Sequence, residues 1–101
     1  MKAKLYEEEL REDLRDPSEA AAYLNACLGE SEGVFLLGLR HVVDALGGVG
    51  GLAQKTELDR VNLYRTLSKR GNPKISSLLS ILDAVGVELQ FAPKRRKRKG
   101  C

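Results

Sequence analysis

The chain contains no tryptophan, one histidine, two cysteines and three prolines, and aromatic residues are only 5% of its 101 residues. So few aromatics exclude the stacking platform on which single-stranded nucleic acids are held. Cys27 and Cys101 form no CxxC pair, and a single histidine cannot complete a tetrahedral zinc set. Cys27 falls in an apolar helical stripe and reads as a small buried hydrophobe. Cys101 follows a basic tail, where it can form adventitious intermolecular disulfides. No run of 18 apolar residues is present, so no transmembrane helix is expected. The first residues, MKAKLYEEEL, lack the apolar centre of a signal peptide, which makes the cytoplasm the expected location. There is no nucleophile motif and no glycine-rich phosphate loop. His41 and Asp44 lie one helical turn apart with nothing to complete a hydrolytic set beside Ser76 and Ser77, so neither catalysis nor a cofactor is expected.

What remains is a charged, aliphatic chain: 43% hydrophobic and 31% charged. Its length suits one domain with one modest core, burying roughly two-thirds of the unfolded surface. The net charge of +3 conceals a gradient. Residues 1–32 carry four basic and nine acidic side chains, residues 33–91 seven and five, and residues 92–101 six and none. A basic end favours polyanions, and an acidic, partly apolar front end suits a basic protein. Alternatively, both are solvated ends that keep the chain in solution.

The punctuation divides the chain into a flexible segment over 1–15, a folded domain over 16–91 and a disordered basic tail over 92–101. Asp16-Pro17-Ser18-Glu19 reads as an N-cap, a proline at the first helical position and a glutamate three residues after the cap. The helix that follows, about 17–28, sets Ala20, Tyr23, Leu24, Cys27 and Leu28 on one face and stops at Gly29. Ser31 caps a helix over about 32–46 whose stripe is Phe35, Leu39, Val42, Val43 and Leu46. Gly47-Gly48 ends it. A short helix over 50–56 carries Leu52 and Ala53 inward, and Glu57-Leu58 is a tight connection. Asp59 then caps a helix over about 60–69, with Val61 or Leu63, and Tyr64 and Leu67, available for packing. After a break at Arg70-Gly71-Asn72-Pro73, a last helix over about 75–85 aligns Ile75, Leu78, Leu79, Leu82 and Val85, and Gly86 stops it. Val87-Glu88-Leu89-Gln90-Phe91 alternates apolar and polar like a short strand. One strand cannot satisfy its own hydrogen bonds. It must pair with another chain, making a homodimer across a two-fold axis, or with the segment near Leu5 and Tyr6.

The informative region is 49–86. A short helix, a tight turn and a capped second helix form a helix-turn-helix, whose second helix enters the DNA major groove. The second helix presents Arg60, Asn62 and Arg65 outward, while Leu63, Tyr64 and Leu67 hold it to the core. Arginine can bind guanine O6 and N7, and asparagine adenine N6 and N7. Gln54 and Lys55 suit phosphate or sugar contacts, and Lys69, Arg70 and Lys74 cluster just after the helix to reach the backbone. Six basic residues stand against two acidic ones between positions 55 and 74. An ordinary amphipathic helix with a solvated basic face is the competing reading. The tail Lys94 to Lys99, KRRKRK, either adds non-specific affinity for phosphates or simply solubilises the chain.

In combination, DPSEAAAYLNACL (16–28), VFLLGLRHVVDALG (34–47), LAQKTELDRVNLYRTLS (52–68) and GNPKISSLLSILDAVGVEL (71–89) resemble the probable addiction-module antidote family, helix-turn-helix antitoxins of the HigA/Xre type. The resemblance covers about residues 5–91. It implies a compact all-helical fold like the lambda repressor domain; with the residues' own signals, the expected class is all-α, about five helices followed by a short C-terminal strand and a basic tail, the tail not being a family feature. It also implies a cytoplasmic antitoxin that neutralises a RelE-like toxin and represses its own operon. By position, the resemblance puts Arg60, Val61, Asn62 and Arg65 against the operator. Two residues depart from the family pattern. Gly50 stands where the family often has serine near the start of the first motif helix. Glu57 stands where it usually has glycine in the turn, and a non-glycine residue at positive φ there would cost about 1 kcal/mol. The alternative is an interaction module that binds a partner without reading an operator. The toxin-facing surface is expected over residues 5–28, with Leu5, Tyr6, Leu10, Leu14 and Tyr23 either as anchors or as part of the core.

Overall fold

The computed structural model describes residues 2–56, 58–68 and 72–94, with side chains from residue 8 onward. Expectations for the side chains of Leu5 and Tyr6, and for Glu57, Lys69, Arg70, Gly71 and residues 95–101, lie outside the described residues. Six helices follow one another: α1 Lys2–Asp13, α2 Pro17–Glu30, α3 Glu32–Ala45, α4 Gly48–Lys55, α5 Arg60–Thr66 and α6 Ile75–Ala84. The class is all-α. Residues 87–94 have no regular secondary structure, so the short strand expected over 87–91 is absent from the single chain. The physical reason is the one that made it conspicuous: a strand needs a neighbour. The N-terminal segment offers none, because it is helix α1.

That helix lies within the segment 1–15 that the sequence sets apart as flexible. Its sequence is rich in strong helix formers and free of glycine and proline until Pro17. Leu10 and Leu14, one turn apart, reach the core, with Leu14 buried. Arg15 fastens the junction, its Nε donating to the Ala45 carbonyl at 3.2 Å, a carbonyl that the end of α3 leaves unpaired. Leu10 and Leu14 therefore complete the core.

The caps behave as their chemistry dictates. Asp16 accepts from the Ser18 backbone N–H at 3.2 Å with Pro17 opening α2. Gly29 does not stop that helix, which runs on to Glu30. Ser31, in extended conformation, both ends it (backbone N–H to the Cys27 carbonyl, 3.3 Å) and caps α3 by accepting from the Val34 N–H at 3.1 Å. Gly47 and Gly48 hold φ of +114° and +82°, and the chain bends by 86° between α3 and α4. The second of these glycines opens α4, two residues earlier than the sequence suggests. Gly86, φ +83°, closes α6: its N–H bonds the Asp83 carbonyl and the Val87 N–H bonds the Leu82 carbonyl, at 3.1 and 2.9 Å. This is the Schellman arrangement that favours glycine.

Leu39, Val42 and Val43 of α3, Leu63 of α5 and Ile81 of α6 are fully buried. Each contributes roughly 1.5–3 kcal/mol of hydrophobic stabilisation. Helix α3 packs on α1, α2 and α4, and α4 on α5 and α6. Several stripe residues lie elsewhere than expected. Leu28, Tyr64, Ile75 and Leu79 are exposed, whereas Leu36, Gly38 and Ile81 are buried. Gly38 is there because nothing larger fits: an added Cβ would stand 2.6 Å from Cys27 Sγ. Beside that seam, Tyr23 Oη and His41 Nδ1 share a 2.8 Å hydrogen bond across α2 and α3. Between α2, Phe35 and the end of α6 lies an open groove of about 680 Å³, flanked by Leu24, Leu28, Leu78, Leu82 and Leu89. No single helix among the described residues is long and apolar enough to cross a membrane.

Candidate nucleic-acid interface

Helices α4 and α5 pack together and are joined through Thr56, Glu57, Leu58 and Asp59. Thr56 shapes the exit from α4. Its backbone N–H and its Oγ1 both donate to the Leu52 carbonyl, at 3.0 and 3.1 Å, and Oγ1 accepts from the Leu58 N–H at 3.2 Å. The half-buried Leu58 pins the turn to the core. Asp59 then caps α5, its Oδ1 accepting from the Asn62 N–H at 2.8 Å. Among the described residues no non-glycine residue has positive φ.

Helix α5 is seven residues long, three fewer than expected over 60–69, and ends with the Leu67 and Ser68 N–H groups bonded back to Leu63 and Arg65 carbonyls. Leu63 and Leu67, one turn apart, form its buried line. Val61 and Arg65 are also one turn apart, and helical geometry puts them on the opposite side. Val61 is 63% exposed, which settles the choice between Val61 and Leu63 for packing. Tyr64, expected in the core, is 59% exposed. On so short a helix one line of leucines is enough to anchor it, and the third apolar residue is left outside. The spacing Leu63–Leu67 is the signal that could have shown Tyr64 on the outward surface.

All the described candidates are exposed: Gln54 and Lys55 at the end of α4, Arg60, Val61, Asn62 and Arg65 on α5, and Lys74 at the N-cap of α6. Lys69 and Arg70 lie outside the described residues. Two of the candidates have neighbours that shape their use. The Asn62 side-chain nitrogen donates to Asp59 Oδ2 at 3.4 Å, so the capping carboxylate also steers the amide. Arg60 folds back toward α4, where an added Cβ on Gly50 would lie 3.3 Å from its Nη2. Gly50 is not the cap of α4, since Gly47 holds that position with no side-chain bond. It is instead the floor beneath the Arg60 guanidinium. No group of three or more potential metal ligands occurs among the described residues.

A family model described as "Probable addiction module antidote protein" matches residues 4–93. A protein of Haemophilus influenzae, whose own name is "Uncharacterized protein", is 24% identical over 95 residues, spanning 94% of this chain and 98% of the relative. No solved structure matches. The family match runs from α1 through α6 and the segment after it, and so the chain belongs to the family of probable addiction module antidote proteins.

Proposed function

We propose that this antidote is the antitoxin of a type II module of the HigA/Xre kind. In this reading it captures a RelE-like toxin in the cytoplasm and, as a homodimer, represses its own operon through α4 and α5. Family membership supports the toxin partner. The observation that carries the DNA reading is the exposed surface of α5: Val61 and Arg65 opposite the buried leucines, with Asn62 and Arg60 exposed beside them, on a helix held from behind by Leu63 and Leu67 and capped by Asp59. In this lambda-repressor-like reading α4 lies across the backbone and α5 enters the major groove. Gln54, Lys55 and Lys74 contact phosphate or sugar, and Arg65, Asn62 and Val61 face base edges. No catalytic step belongs to this function.

Titrating the protein against a duplex of its own upstream region and a scrambled duplex, by fluorescence anisotropy at two salt concentrations, tests the reading. Operator binding at least ~1000-fold tighter than scrambled binding is the expected result. Equal binding that vanishes with salt overturns it. That outcome favours the second reading, a partner-binding module without operator recognition. The engagement of Asn62 by Asp59 and of Arg60 by α4 is the observation on its side.

A further inference from the structure

Past Gly86 the chain keeps a strict alternation without the strand it encodes. Val87, Leu89 and Phe91 are apolar, and Glu88 and Gln90 are polar. Phe91 is 94% exposed and Leu89 42% exposed, at the rim of the groove formed with Leu28 and Leu82. Among the described residues, no backbone–backbone hydrogen bond outside the helices extends beyond the Val87 N–H.

We infer that a second copy of this chain covers the groove, its residues 87–91 pairing antiparallel with 87–91 of the first about a two-fold axis through Leu89. The polarity pattern reads the same in both directions, so antiparallel pairing about Leu89 sets Val87 against Phe91 on the groove face. On the other face it sets Glu88 against Gln90. Those two side chains already form a donor–acceptor pair within one chain, Gln90 Nε2 to Glu88 Oε2 at 3.1 Å. The pairing re-forms that bond between copies. A foreign strand would have to supply this complement; the chain supplies it itself. The backbone fixes the register class too. The Val87 N–H is taken by the Leu82 carbonyl. Along a strand, N–H groups alternate sides, so those of Glu88 and Gln90 face the partner. Leu89 then meets Leu89 of the other copy in a non-hydrogen-bonded pair, with Cα atoms about 4.5 Å apart. Gly86, at positive φ, and Pro93, which has no N–H, bound the pairing. Two strands alone are marginal in water. Phe91, seated in the partner's groove, supplies the apolar burial that holds them.

The pairing gives the dimer of the proposed function its seat, and its test reads assembly without DNA, so loss of operator binding alone would leave it standing. The experiment uses the full chain carrying Cys101→Ser, by light scattering and mild oxidation. A dimer is expected. Phe91→Asp should yield a monomer of unchanged helix content, and Phe91→Ala should raise the dimer dissociation constant about 30-fold. Leu89→Cys should oxidise to a covalent dimer, because the distance lies within disulfide range. Glu88→Cys, which faces Gln90 and not itself, should not. The inference is overturned by a monomer at tens of micromolar, by a dimer that survives Phe91→Asp, or by cross-linking at position 88 equal to that at 89. A chain that stays monomeric until toxin is added, and loses the toxin with Phe91→Asp, overturns it as well and assigns the groove to the toxin.

Discussion

At the scale of single residues, the tightest constraint is the contact of Gly38 with Cys27. Alanine at position 38 gains up to about 1 kcal/mol in helix propensity. It must also fit a Cβ 2.6 Å from Cys27 Sγ and 3.2 Å from Cys27 Cβ. Overpacking of that kind costs roughly 1–3 kcal/mol and outweighs the propensity gain. Gly38→Ala should therefore lower stability in urea denaturation. Pairing it with Cys27→Ala should lose less than the two single changes together, and strict additivity would refute the contact. Burial pushes the Cys27 thiol above its ordinary value of 9.0; the Tyr23 hydrogen bond opposes the rise and the Glu30 charge adds to it. The folded chain thus keeps this proton to higher pH than the unfolded chain. The stabilisation is complete below about 9.0 and is lost as pH rises through the folded value. Stability measured from pH 8 upward should fall in the Cys101→Ser chain and fall less when Cys27 is also replaced by alanine.

Among the elements, α5 divides its labour. Arg65 extends from the face opposite Leu63 and Leu67, whereas the Arg60 guanidinium lies against Gly50 of α4. In the proposed function the first would read a base and the second would hold a phosphate. Arg65→Ala should cost about 1–3 kcal/mol on the operator and relax preference at one base pair. Arg60→Ala should weaken all duplexes alike and reduce the salt slope by about 1. Anisotropy across a panel of single-base operator variants separates the two, and a relaxed base preference in Arg60→Ala would reverse the assignment. The helices themselves were legible because their ends are local chemistry: Asp16, Ser31 and Asp59 cap where they stand, and Gly47 and Gly86 adopt the left-handed backbone that stops a helix. Which apolar residues turn inward was less legible. Ile75, Leu79 and Ile81 are all consistent with a helical stripe, and only the packing of α6 against the rest of the fold selects Ile81. Helix α1 was hidden by its charge density: of its described side chains Leu10 packs against the core, followed just past its end by Leu14.

For the whole molecule, charge is the organising quantity. The acidic residues concentrate in residues 1–32, the candidate DNA face lies in the middle of the chain, and six basic residues close it. If the last of these act on phosphates, a chain ending at Pro93 should bind DNA with a shallower salt dependence, losing about 0.9 in slope per phosphate contact removed. Its preference for operator over scrambled duplex should stay intact, because contacts to phosphate carry no sequence information. An unchanged slope would make the tail a solubilising segment. The terminal strand was legible as a pattern and invisible as a structure for the same reason. A strand needs a neighbour, and the described residues supply none to 87–91.

The bare backbone of Gly50 beneath Arg60 has a genetic consequence. A methyl group at position 50 would meet only the flexible tip of an arginine, so Gly50→Ala should be tolerated by the fold and felt by the neighbouring helix. In a selection for altered repression, variants at 50 would then arise as suppressors or mimics of variants at 60. The effects of the two positions would be non-additive, although they are ten residues apart and belong to different helices.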